Sequence, residues 1–281
     1  MQMLSLFANP FFFEIKDLRW NNDYEGISKK LEENRSLKNL LCNNHKFLKI
    51  MDAICCFRLE KDYEQALKGF ERALQLKVDS EIETNLLNAH IYFELAVYYE
   101  DLDQLEDALK LCKQANQMLE QIKTKVSNEY FIKQYMTELQ RVIEYSLAYI
   151  YLPLGHARYA RDHFHNVMQM CVKSKSLWLL DKCYVLEAIY YSRSRSIRGC
   201  ETSIDTAKKL MEITDNKPLE SYIKNMERII KLHKKGVWGY NGKKLTDYEH
   251  QKKIITISQE IQKHTVDGDI DPIYAKKKQL W

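Results

Sequence analysis

The sequence predicts an all-α fold, a right-handed superhelical solenoid of stacked helix pairs. Three observations carry this. Gly (8) and Pro (4) are scarce among 281 residues, too few for the turns of a β-rich or loop-rich fold. Hydrophobic residues make up 45% and charged residues 29%, so the chain has enough apolar surface to bury a core. A two-helix pattern also recurs at fixed internal spacing, which marks a repeat array.

The clearest copy of the pattern lies in Asp62-Tyr63-Glu64-Gln65-Ala66-Leu67-Lys68-Gly69-Phe70-Glu71-Arg72-Ala73-Leu74. Ala66, Phe70 and Ala73 are spaced by four and three, so they share one helical face. Small residues there let a neighbouring helix approach closely, and the aromatic fills the groove between them. The series recurs as Ala108, Cys112, Ala115, as Ala160, Phe164, Val167, and in weaker form as Gly199, Ser203, Thr206. Two copies have a partner pattern upstream: Leu95-Ala96 with Tyr99, and Leu147-Ala148 with Tyr151. Ala96 precedes Ala108 by twelve residues, and Ala148 precedes Ala160 by the same interval. One recurring Ala-rich helix is easily a coincidence; a recurring two-helix register is not.

From these patterns we expect five helix pairs and a closing helix. Pro10–Trp20 pairs with 24–37, 46–60 with 63–76, and 82–100 with 104–125. Then 129–152 pairs with 156–172, 177–192 pairs with 197–213, and 219–234 closes the array. Breakers fall between them: Asn21-Asn22-Asp23, Pro153 with Gly155, and Asp215-Asn216 before Pro218. Residues 1–235 are therefore expected to be one repeat domain. Residues 236–281 read as an extension with one helix (248–263), a loop at Asp267, Asp269 and Asp271, and a basic tail. That loop lacks the later Gly and twelfth-place Glu of a calcium loop, so no calcium site is assigned.

The motifs of catalysis are missing. The sequence has no P-loop, dinucleotide Gly motif, HExxH or nucleophile elbow. His163 and His165 lie two apart and point to different sides of a helix, while His45, His90 and His156 are assigned no partner. The seven Cys form no CxxC pair and most sit in apolar helical stretches, which reads as reduced, buried thiols. Cys55-Cys56 is expected to pack rather than to act as a redox pair. We expect a binding protein with no cofactor and no metal, not an enzyme. The net charge of +4 and scattered Lys pairs make direct DNA binding doubtful. No run is long and apolar enough for a membrane span or shaped as a signal peptide, which points to the cytoplasm.

Tyr92, Leu95, Ala96, Tyr99, Ala108 and Ala115 resemble the tetratricopeptide repeat, with Cys112 in place of its aromatic. The resemblance implies that first helices line a concave surface. Counting from that register, the groove is expected to present Arg58, Asn85, Asn88, Phe93, Tyr145, Tyr149, Asp181 and Tyr184. Aromatics give contact area at low entropy cost, and Asn pairs with a peptide backbone through both donor and acceptor. The degenerate pairs at long spacing, the segment Phe12-Phe13-Glu14-Ile15 leading to Asp23-Tyr24-Glu25, and the closing helix look like a further group. That group is the sensor domain of the bacterial cytoplasmic peptide-pheromone receptors (Rap, Rgg, NprR, PlcR and PrgX). It implies capture of a short peptide and control of transcription, directly or through a partner. The chain departs from the group in reaching its first repeat without an evident helix-turn-helix domain. The alternative is a scaffold for protein–protein assembly, and the C-terminal helices offer a surface for a homodimer.

Overall fold

The computed structural model describes residues 10–33, 45–78, 80–126 and 130–234. The expected helix 248–263, the Asp267 loop and the basic tail lie outside the described residues. Among the described residues all regular structure is helical. The helices are α1 (Pro10–Trp20), α2 (Tyr24–Glu33), α3 (His45–Cys55) with a π-helical turn (Cys56–Glu60), α4 (Tyr63–Gln75), α5 (Glu81–Asp101) and α6 (Leu105–Lys123). They continue as α7 (Tyr130–Tyr151), α8 (Ala157–Ser174), α9 (Leu180–Arg193), α10 (Ile197–Thr214) and α11 (Leu219–Lys234). Residues 34–37, expected to end the second helix, lie outside the described residues; elsewhere the one boundary that differs by more than two residues is the start of α9. There Ser176 accepts a hydrogen bond from the Trp178 N–H, and this local turn displaces the expected first helical residues.

The chain divides into two compact units, Met1–Ile143 and Glu144–Trp281, with the boundary inside α7. The repeat domain expected over 1–235 spans the described helices of both units. No described helix is long and apolar enough to cross a membrane.

Four helix pairs close with one kind of turn. Backbone N–H groups of Asp23, Gln104, His156 and Ser196 donate to the carbonyls of Leu18, Tyr99, Tyr151 and Tyr191, five residues back, at 2.9–3.0 Å. The residue before each donor is left-handed: Asn22, Asp103, Gly155 and Arg195, at φ 59, 62, 82 and 59°. This is the Schellman closure, which satisfies the orphan carbonyls of a helix end. The α3–α4 turn departs by one residue. Lys61 is left-handed at φ 60°, but the Asp62 N–H reaches back six residues to the Cys56 carbonyl, because the π-helical turn holds a surplus residue.

The same surplus appears in the packing register. Ala96–Ala108, Ala148–Ala160 and Ala188–Cys200 are each twelve apart, whereas Ala53–Ala66 is thirteen. All eight of these residues are buried. Helices α3 and α4 come closest where Ala53 faces Gly69: a Cβ added to Gly69 would stand 2.9 Å from the Ala53 Cβ. The fourth copy of the small–large–small series needs a correction. Gly199 and Thr206 are only half-buried, and the buried series is Cys200, Ile204, Ala207. Glycine's small size drew the sequence reading one residue too early; the twelve-residue interval from Ala188 fixes the true register.

Helix starts and ends are finished locally. Asp62 caps α4 by accepting from the Gln65 N–H, and Ser80 caps α5 by accepting from the Glu83 N–H. The Lys46 ammonium donates to the Leu76 carbonyl past the end of α4 at 2.7 Å, and burial lowers its pKa to about 8. In the second unit, α11 closes the core by laying Leu219, Ile223, Met226 and Ile230 against Ala188, Cys200, Ile204 and Ala207.

Gly69→Val tests the contact point. The added side chain has no room beside Ala53, and the expected loss is about 1–3 kcal/mol in urea unfolding. The equivalent change at half-buried Thr206 is expected to cost less than about 0.5 kcal/mol.

Candidate functional site

The first unit carries charge in its interior. Helix α1 turns Phe12, Ile15, Lys16 and Arg19 inward, one stripe at helical spacing. Phe12 packs on Phe47 of α3 (ring centroids 4.6 Å apart) and edge-on to Tyr135 of α7 (5.1 Å). Arg19 grips Glu94 of α5 with two parallel hydrogen bonds, Nε to Oε1 and Nη2 to Oε2, both 2.9 Å. Lys16 and the Trp20 indole N–H both donate to Glu138 Oε2 of α7, at 2.9 and 3.1 Å. Gln134 donates to the other Glu138 oxygen. One short helix is thus fastened to the first helices of three later pairs.

Behind Arg19 the receiving groups are chained together. Glu94 is wholly buried, with 0% exposure. His90 Nε2 lies 3.1 Å from Glu94 Oε1, and His90 Nδ1 lies 2.6 Å from the Tyr135 hydroxyl. Burial by itself would raise the Glu94 pKa. The Arg19 charge, then the His90 hydrogen bond and charge, then Arg58, outweigh it and hold the carboxyl at about 2. Tyr135 is held well above its usual range by burial and then by the Glu94 and Glu138 charges, so it keeps its proton. His90 thus bridges the Glu94 carboxylate and the Tyr135 hydroxyl through its two ring nitrogens. Every member of this hydrogen-bonded series is buried. The series fixes the position of a carboxylate.

Arg58 sits in the π-helical turn, 4% exposed, with Nη1 donating to Asp101 of α5 at 3.3 Å. Its guanidinium lies over the Phe57 ring at 4.1 Å. The Tyr24 ring stands between two arginines, 5.7 Å from Arg19 and 5.9 Å from Arg58. Both arginines occupy the same place in their hairpins, four residues before the turn-closing donor. Arg58 keeps Nε and Nη2 buried without a hydrogen-bond partner.

The eight expected groove residues fare differently. Asn85 and Asn88 are half-buried, and Asn88 Oδ1 is a buried acceptor without a partner. Phe93 is packed inside the first unit; Tyr145 and Tyr149 are packed inside the second. Their rings, expected to meet a ligand, are covered in this structure. Asp181 is likewise buried rather than open. Its Oδ2 accepts from Thr214 and Asn216 at 3.1 and 2.9 Å, which ties down the end of α10. Tyr184 is half-buried against the α9–α11 core. First helices of the second unit use carboxylates in the same manner: Glu144 bonds His163 and Asn166, and Glu187 accepts from Ser203.

The sequence reading gave His90 no partner, and the structure corrects this with Glu94 and Tyr135. The signal was present, since His90 and Glu94 are one turn apart on one helix. Arg19 and Tyr135 carried none, because their partners lie 75 and 45 residues away. Among the described residues no group of three or more His, Cys, Asp or Glu is placed to hold a metal. Burial pushes the thiols of Cys55 and Cys200 up to about 12 and that of Cys112 well above its usual range, so they are poor nucleophiles.

Comparison with protein-family models, with curated proteins and with solved structures finds no match.

Two measurements test the buried charges. The folded Glu94 pKa of about 2 lies below its ordinary 4.5. Its ion pair therefore contributes fully above about pH 4.5, and the contribution drains away as pH falls toward 2. It is on the order of 3 kcal/mol. In urea melts, the gap between wild type and Glu94→Gln should narrow across that window. Arg19→Ala takes the bidentate cation from a buried carboxylate and should cost about 3–5 kcal/mol at pH 7.

Proposed function

We propose that this is a peptide- or protein-binding regulatory protein built from tetratricopeptide-type hairpins. It works in the manner of the intracellular peptide receptors that control transcription, directly or through a partner protein. One observation carries the reading: two of the residues placed on the groove by register, Arg58 and Asn88, hold buried polar atoms with no partner. Buried polar atoms in folded proteins are nearly always paired, so unmet ones call for an explanation. Arg58 offers two donors and Asn88 an acceptor. A peptide backbone or terminal carboxylate supplies the complements. The repeated closing turn supports the same reading, since it gives each hairpin a first helix of defined rotation and so a defined lining.

The second reading, a scaffold that joins larger proteins, draws on a surface feature of α8. Tyr159 is 59% exposed and stacks with its centroid 5.3 Å from that of Tyr151, a flat aromatic face of the kind protein interfaces use.

Calorimetry and thermal shift against a library of five- to ten-residue peptides separate the two. A receptor should yield a peptide that raises the melting temperature in proportion to its concentration over Kd. Arg58→Ala and Asn88→Ala should each weaken that peptide. The expected loss at Arg58 is about ten- to a hundredfold, the worth of a hydrogen bond to a charged group. Undiminished affinity in both variants, or no peptide that binds, would overturn the receptor reading.

A further inference from the structure

The contacts of α1 describe a site as well as a fold. Glu94 and Glu138 stand ready on α5 and α7, oriented by His90, Tyr135 and Gln134, groups that do not belong to α1. Helix α1 brings the cations to them: Lys16 and Arg19, three residues apart, with the Trp20 indole beside them and Phe12 one turn earlier. Without a cation, burial would dominate at Glu94 and the carboxylate would be costly to keep. The face therefore demands a basic occupant, while the identity of that occupant is set only by spacing.

Helix α1 is suited to exchange. It has 11 residues, too few to be stable as an isolated helix, so docking is what keeps it formed. It joins α2 through Asn21-Asn22-Asp23, where Asn22 already holds the left-handed conformation of a turn. Its hold is partly ionic, through Lys16 and Arg19, and partly the packing of buried Phe12 and Ile15. Buried ion pairs set register well but give less net stability than packed apolar groups, so another helix with the same cations can compete.

We propose that the face formed by Glu94 and Glu138 is the ligand site of the first unit, closed in this structure by α1. Its ligand is a short cationic peptide segment that carries a lysine and an arginine three residues apart beside an aromatic ring. This deepens, and rests on, the peptide-binding function proposed above. The segment docks as a helix across α5 and α7, in the way amphipathic helices fill grooves elsewhere. Because α1 is tethered, it competes at high effective concentration and sets the threshold that a ligand must pass.

The test uses the full chain and a fluorescein-labelled peptide of residues 10–20, PFFFEIKDLRW, read by anisotropy. The double variant Lys16→Ala, Arg19→Ala should bind it at least about tenfold more tightly than wild type, because the tethered competitor is weakened. Adding Glu94→Gln to that variant should remove the gain. A peptide with both cations replaced by Glu should not bind. Equal binding to wild type and to the double variant, or a gain that survives Glu94→Gln, overturns the proposal. Hydrogen exchange on wild type decides the matter even if the variant does not fold. Amides of α1 should exchange by local opening well before those of α5 and α6, and protection of α1 equal to that of α5 also overturns it. A library peptide that binds through Arg58 and is indifferent to Glu94→Gln would refute this inference while leaving the receptor reading intact. Light scattering of the double variant reports the other occupant, α1 of a second copy, as a dimer; that outcome also counts against a peptide ligand.

Discussion

The molecule depends on how near two helices of a pair can come. At the crossing of α3 and α4 nothing larger than Ala53 against Gly69 fits, and Ala96, Ala148 and Ala188 hold the place of Ala53 in the pairs that follow. Close approach alone would leave each helix free to rotate about its axis. The closing turn removes that freedom: its left-handed residue and long backward hydrogen bond set the phase of the second helix against the first. Spacing and turn together explain why an interval of twelve residues is kept while the rest of the sequence drifts.

With rotation settled, the side chains that reach inward are settled too. In the first unit these are charged to an unusual degree for an interior. Arg19, Lys16 and Arg58 meet Glu94, Glu138 and Asp101, with Tyr24 between the two arginines. An apolar interior of equal volume would hold the hairpins together at least as well. What the ions add is discrimination, since a one-residue slip of α1 would leave several charges buried without partners. The second unit spends its carboxylates differently. Glu144, Glu187 and Asp181 each bind a neighbouring helix or helix end, and its inward rings are packed away.

Helices were readable because their cause is local. Alternation of small and large residues at spacings of four and three, and breakers such as Asn21-Asn22 and Pro153, act within one turn of the chain. Register was readable wherever two markers agreed, and it slipped by one at Gly199, where only a single small residue was used as the marker. Cys200 is the buried residue there, and only its distance from Ala188 reveals it. The charged interior was mostly hidden. Nothing local distinguishes Arg19 from a solvated arginine on an amphipathic helix, and its partner lies on a helix two hairpins away. His90 with Glu94 was the exception, a pair visible as a one-turn spacing. Asp181 misled for the opposite reason: register aimed it inward, but the end of α10 arrived there first.

The π-helical turn after α3 has a geometric corollary. A helix advances by about 100° per residue, so one surplus residue redirects every side chain beyond it by more than a quarter circle. Arg58 lies within that turn, so its heading, toward Asp101 and the ring of Tyr24, is owed to the insertion. A single added amino acid, accommodated by loosening five residues of helix, thus aims a guanidinium whose Nε and Nη2 are buried without a partner.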